Sequence, residues 1–166
     1  MKNIYLIGFM GAGKSTVARE LEKQTGARRI EMDELIEEQQ QMAITQIFEQ
    51  YGEDYFRDLE TELLKSFVEQ ENLIVSCGGG SVLRDDNTAL MKKAGCIVLL
   101  TAKPETVYER VKDSTNRPIL NGNMNVEYIR TLMEKRKARY KAVADVLIAT
   151  DGMEISEICE KLLSVL

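Results

Sequence analysis

Histidine is absent from all 166 residues, which rules out any imidazole general base or nucleophile. Cysteine is scarce. Cys77, Cys96 and Cys159 stand far apart in apolar surroundings and follow no zinc-ligand spacing, so they read as reduced core thiols of a cytosolic protein. No apolar run is long enough to span a membrane. The chain enters a strand within a few residues of its start, and no signal peptide is expected. Positive charge is in deficit, with 22 Lys and Arg against 27 Asp and Glu, a net charge of −5. That balance argues against a broad nucleic-acid footprint but leaves room for local basic pockets that bind small anions. Repeats, linkers and low-complexity segments are missing too. At 166 residues, 44% hydrophobic and 30% charged, the chain reads as one soluble domain able to bury a core.

What is present begins at Gly8-Phe9-Met10-Gly11-Ala12-Gly13-Lys14-Ser15-Thr16. This matches Gly-x-x-x-x-Gly-Lys-[Ser/Thr], the phosphate-binding P-loop. The apolar run Ile4–Ile7 before it reads as a buried strand. Val17, Ala18 and Leu21 after it share one helical face. The glycines let backbone N–H groups approach phosphate oxygens, and the helix N-terminus adds partial positive charge. Residues Gly11 to Thr16 are therefore expected on a nucleoside triphosphate, with Lys14 reaching the β- and γ-phosphates and Ser15 ligating Mg²⁺.

Strand and helix patterns alternate from end to end. Strands are expected near 4–7, 29–32, 73–77, 96–101 and 146–149. Helices are expected at 14–25, at 33–40 with Asp33 as N-cap, and from a Thr45 cap to Tyr51. Further helices are expected at 54–70, 86–94, 104–112, from an Asn125 cap to 142, and at 155–166. Repeated βα units imply an α/β fold: a parallel sheet of about five strands with helices on both faces and ligands at the strand carboxyl ends. The P-loop, Glu31-Met32-Asp33 and Gly78-Gly79-Gly80 all fall at those ends and can share one cleft. Residues 113–124 lack periodicity and read as an exposed loop suited to closing over a phosphate as a lid.

A few residues break their local pattern. Arg136 projects from the edge of an apolar stripe of Ile129, Leu132, Met133, Tyr140 and Val143. It needs either an anionic ligand or an internal carboxylate partner. Arg57 and Glu60 lie one turn apart. They form either a surface pair, the commoner case, or a device in which Glu60 holds Arg57 extended to grip a carboxylate. Three glycines ending a buried strand suggest close approach by a ligand rather than a loose turn. Glu31 and Asp33 are either solvated turn residues or, opposite a P-loop, a Mg²⁺ ligand and a partner for a hydroxyl nucleophile. Arg110 and Arg117 are either solvated or placed to neutralise charge in phosphoryl transfer.

Together these segments resemble shikimate kinase. The resemblance runs from Ile4 to the C-terminus and rests on Gly8–Thr16, Asp33, Phe56-Arg57-Asp58-Leu59-Glu60, Cys77–Gly80, Asn116-Arg117-Pro118 and Arg136–Tyr140. It implies a three-layer P-loop kinase fold in a single domain, with an acceptor-binding helical region at about 33–62. It implies transfer of the ATP γ-phosphate to the 3-hydroxyl of shikimate, a step of aromatic amino-acid biosynthesis, by a cytoplasmic monomer that uses Mg²⁺. By the same resemblance Asp33, Arg57, Gly78, Gly79, Gly80 and Arg136 hold shikimate. Arg110 lies on the nucleotide side, Arg117 is a lid arginine near the phosphates, and Lys14, Asp33 and Arg117 are catalytic. One departure is visible: Glu31-Met32-Asp33 replaces the family's Asp-x-Asp, with Glu31 one methylene longer at the Mg²⁺ position. Rival readings are another small-molecule P-loop kinase, for gluconate or a nucleoside monophosphate, and a switch GTPase. The last would need Asn-Lys-x-Asp, which the chain lacks.

Overall fold

The structure is a computed structural model and describes residues 1–113 and 124–166. Five strands form one parallel sheet: β1 (Asn3–Ile7), β2 (Arg28–Glu31), β3 (Leu73–Ser76), β4 (Gly95–Thr101) and β5 (Val146–Ala149), in spatial order β2-β3-β1-β4-β5. Helices α1 (Lys14–Thr25), α2 (Met32–Gln40), α3 (Ile44–Tyr51), α4 (Glu53–Phe67), α5 (Asp85–Ala94), α6 (Pro104–Val111), α7 (Val126–Val143) and α8 (Ile155–Val165) connect and cover the strands. A short 3₁₀ turn occupies Ser81–Leu83. The expected α/β architecture is the observed one.

Side-chain alternation in the strands builds a core on each face. Ile4, Leu6, Val98, Leu100 and Ile148 pack under α1 and α8. Tyr5, Ile7, Val75, Ile97 and Leu99 pack on the other face, among apolar residues of α2 to α7. Central β1 is buried along its whole length, which is why Ile4–Ile7 reads as an unbroken apolar run. Asn3 is also fully buried. Its Nδ2 donates to the carbonyls of Phe67 and Gln70, and its Oδ1 accepts from the Leu73 N–H. It thus ties the end of α4 to the start of β3.

Most expected ends hold within a residue or two. Gly26 stops α1 in the left-handed region at φ 74°, with its N–H on the Glu22 carbonyl. Pro104 opens α6, and Asn125 caps α7 by accepting from the Tyr128 N–H.

Two expected caps are corrected. Asp33 is not an N-cap: β2 runs directly into α2, Glu31 takes the extended cap position, and Asp33 falls in the first helical turn. Thr45 does not cap α3, which starts at Ile44 after Ala43. Gln46 accepts from the Ala43 N–H, and Glu37 of α2 accepts from the Ile44 N–H at 3.0 Å. The helix start is thus satisfied by a neighbouring helix, a partner no local reading supplies. No described helix is long and apolar enough to cross a membrane.

Candidate active site

The carboxyl ends of β1, β2, β3 and β5 border a cleft of about 570 Å³. Its lining joins Gly11, Gly13, Lys14, Ser15 and Thr16 of the P-loop to Glu31 and Asp33 after β2, to Gly78 and Gly79 after β3, and to Arg110 and Thr150.

Each part of the loop is held for a physical reason. Gly13 sits at φ 105°, outside the range of ordinary L residues, and turns the chain into α1. A side chain on Gly8 would meet the Leu100 carbonyl at 2.4 Å, so that glycine serves the packing of β1 against β4. Ala12 is buried. Its N–H bonds the Phe9 carbonyl at 3.1 Å and its carbonyl accepts from Thr150 Oγ1 at 2.9 Å. It shapes the loop from behind and does not line the cleft. Lys14 Nζ donates to the Gly8 carbonyl at 2.5 Å and lies over the loop. Arg110 Nη1 donates to the Gly11 carbonyl at 2.8 Å, so α6 brings this arginine onto the loop. Ser15 Oγ donates to Glu31 Oε2 at 2.9 Å, and Arg29 pairs with the other Glu31 oxygen at 3.2 Å. The longer glutamate therefore still reaches Ser15.

The glycine run gathers the remaining charged groups. A Cβ on Gly78 would lie 2.8 Å from Glu60 Oε2 and 2.9 Å from Asp33 Oδ1. One on Gly79 would lie 3.3 Å from Arg136 Nη1, and one on Gly80 would lie 2.4 Å from Arg57 Nη2. The three missing side chains thus make room for two guanidiniums and two carboxylates. Neither Arg57 nor Arg136 borders the open cleft; both are buried against the glycine backbone.

Arg57 and Glu60 are not a surface pair. Phe56, Arg57, Glu60, Leu63, Leu64 and Phe67 form the buried stripe of α4, and the ion pair sits inside it. Arg57 Nη1 donates to Glu60 Oε1 at 2.8 Å and Nη2 to Glu53 Oε1 at 3.0 Å. Glu60 is fully buried and its Oε2 has no hydrogen-bond partner. Burial pushes its carboxyl up to about 7 against the pull of Arg57, and the nearby Asp33 charge adds to the rise.

Arg136 makes no ion pair among the described residues. Its guanidinium stacks over the Phe9 ring at 5.9 Å, and its buried Nη1 has no hydrogen-bond partner. Of the two readings open for it, the internal carboxylate is excluded there. Burial also raises the Cys77 thiol far above its ordinary range, so this cysteine is no nucleophile despite bordering the cleft.

Two contributors escape a sequence reading. Tyr140, one turn after Arg136, donates its hydroxyl to the Gly79 carbonyl and fixes the glycine run from α7. Thr150, at the end of β5, links Ala12 to the Thr101 carbonyl. Its position just past a strand end is the one local signal. Arg117 and nearly all of the expected lid, 113–124, lie outside the described residues.

The shikimate kinase family profile matches residues 10–166. The chain belongs to the shikimate kinase family. It is 44% identical to a shikimate kinase of a Sulfurihydrogenibium species, over 99% of this chain and 97% of the relative. It is 41% identical to that of Thermodesulfovibrio yellowstonii, over 98% and 94%. The solved structure of shikimate kinase from Acinetobacter baumannii in complex with shikimate superposes with a TM-score of 0.94 at 33% identity, covering 99% of this chain and 92% of that one. Shikimate kinases are ATP-dependent kinases that phosphorylate a shikimate hydroxyl. Family membership decides among the readings left open by the P-loop, against a gluconate or nucleoside monophosphate kinase and against a switch GTPase.

Proposed function

We propose that this cleft transfers the γ-phosphate of ATP to the 3-hydroxyl of shikimate, and that the residues gathered at the glycine run form the acceptor site. The observation that carries the reading is the burial of Arg57 and Arg136 against one glycine run, with Asp33 at its first glycine and the P-loop beside it. Two guanidiniums suit a small carboxylate, because the planar fork binds it with paired charge-assisted bonds. Gly78, Gly79 and Gly80 let the acceptor ring lie close to backbone. Asp33, on the cleft wall, orients the acceptor hydroxyl and receives its proton as the new phosphorus–oxygen bond forms and the bond to the β-phosphate breaks.

On the nucleotide side, backbone N–H groups of Gly11 to Thr16 and the Lys14 ammonium hold the phosphates, with Arg110 beside them. Ser15 and Glu31 present hard oxygens 2.9 Å apart, a donor set that fits Mg²⁺ bound together with phosphate. When bound there, Mg²⁺ neutralises phosphate charge during transfer. Family resemblance places Arg117 near the ATP phosphates. On this reading 1–166 is a single catalytic domain working as a monomer, with an acceptor region at 33–62. The free thiols of Cys77, Cys96 and Cys159 support a cytoplasmic setting.

The test is ADP release in a coupled assay across shikimate, quinate, gluconate and nucleoside monophosphates, with Asp33→Asn alongside. Shikimate is expected to be the preferred acceptor by orders of magnitude. Asp33→Asn is expected to lower turnover strongly with ATP affinity little changed. Equal turnover on gluconate would refute the acceptor assignment. A mutant that loses ATP binding but keeps turnover at saturation would move Asp33 to the metal side.

A further inference from the structure

Glu60 carries more than a positioning contact. It is fully buried, and only one of its oxygens is used: Oε1 accepts from Arg57, while Oε2 has no hydrogen-bond partner. That second oxygen lies with Asp33 Oδ1 under the Gly78 backbone, both within 3 Å of the point where a Cβ would stand. The groups facing it come from every element around it. Arg57 and, through it, Glu53 lie on α4 and Asp33 on α2. Arg84 stands before α5, and Cys77 directly follows β3. Arg136 and Tyr140 approach the same glycine run from α7. The described charges at this run are thus the buried guanidiniums of Arg57 and Arg136, the buried carboxyl of Glu60 and the half-buried carboxylate of Asp33, a balanced set. An acceptor carboxylate seated on Arg57 and Arg136 adds a negative charge that a low-dielectric site does not tolerate unneutralised.

We propose that Glu60 takes up a proton when the acceptor carboxylate binds, so that acceptor binding is coupled to protonation of this buried side chain. This rests on the acceptor site described above and says what that site does with its excess charge. The proton comes from solvent and forms an O–H bond on Glu60, no other bond changes, and Arg57 is released from one anion to face another. Burial has already brought this carboxyl to about 7 in the absence of acceptor, where a neighbouring anion shifts it within the physiological range. The sign is fixed. A bound anion raises the Glu60 pKa further, so acceptor affinity is constant well below pH 7, where Glu60 is protonated in both states. Above pH 7 affinity falls, by up to about tenfold per pH unit, until the bound-state pKa is passed. The acceptor's own carboxyl titrates near 4 and does not contribute there.

The experiment is isothermal titration of shikimate into the nucleotide-free protein between pH 6 and 8.5, in buffers of very different ionisation heat. The wild type is expected to take up a fraction of a proton at pH 7.5 and to lose affinity above pH 7. Glu60→Gln is expected to bind shikimate with no proton uptake and a flat pH profile. If that variant does not fold, the wild type with the neutral amide of shikimate decides, since an uncharged acceptor is expected to bind without uptake. Shikimate binding to wild type without proton exchange overturns the proposal, as does uptake that survives in Glu60→Gln or is unchanged with the amide. Absence of shikimate binding altogether is a different result and refutes the acceptor site itself.

Discussion

Gly80→Ala tests the acceptor site through a single methyl group. Gly80 has φ −100° and ψ 5°, a conformation open to alanine, so the substitution introduces no backbone strain of its own. The new Cβ would stand 2.4, 2.6 and 2.7 Å from Nη2, Cζ and Nη1 of Arg57. Normal contact is about 3.5 Å, so the guanidinium must retreat by roughly 1 Å. It has little freedom to do so, being buried, held by Glu60 at 2.8 Å and Glu53 at 3.0 Å, and packed on the Phe56 ring. Losing the bond to Glu60 costs about 1.5–3 kcal/mol, offset by about 0.4–1 kcal/mol from the stiffer unfolded chain. The net loss of about 0.5–2.6 kcal/mol lowers Tm by roughly 1–10 °C for a domain of this size. Displacing Arg57 would remove the charge-assisted contact proposed for the acceptor carboxylate, so KM for shikimate is expected to rise about ten- to a hundredfold while KM for ATP stays put. Gly26→Ala is the matched control. Its φ of +74° strains alanine but nothing lies within 4 Å, so stability falls and the shikimate KM does not change. The assay is steady-state ADP release with each substrate varied, together with thermal melts. A Gly80→Ala protein with wild-type Tm and a shikimate KM within about twofold of wild type would refute this account of Arg57.

Lys14→Ala is expected to reduce turnover by at least about a thousandfold in an ADP-release assay, with circular dichroism and Tm unchanged, because Lys14 lies over the loop and outside both cores. Arg136→Ala is expected to weaken shikimate binding about ten- to a hundredfold by calorimetry without affecting ATP binding; Arg136→Lys recovers only part, since lysine lacks the planar fork. Asn3→Ala takes the side-chain partner from the buried Leu73 N–H and a donor from the Phe67 and Gln70 carbonyls, the first of which keeps the Gln70 N–H, and is expected to cost about 1–3 kcal/mol in urea unfolding while low-temperature kinetics stay normal.

The sequence by itself determined the βα order, the five strands and the nucleotide loop. Those features rest on local periods, on Gly13 and Gly26 where the chain turns, and on Pro104 and Asn125 where helices start. Such signals act within a few residues and survive without a tertiary partner. It also singled out Arg57, Glu60, Arg136 and Gly78-Gly79-Gly80 as residues out of place in their patterns. What each was for lay beyond it. Arg57 and Glu60 fall on the apolar stripe of α4, yet an i, i+3 ion pair is equally at home on a surface. Only the packing of α4 against the glycine run makes it a buried pair with one carboxylate oxygen left over. Arg136 had two partners open to it until α7 set it against Gly79 and the Phe9 ring, with no carboxylate on it among the described residues. The mistaken caps at Asp33 and Thr45 have the same origin, because a helix start can be satisfied by a direct strand–helix junction or by Glu37 of another helix. Local backbone preference depends on neighbours in sequence and could be read from them. Burial and charge balance depend on neighbours in space, and those were set only when four strand ends met in one cleft.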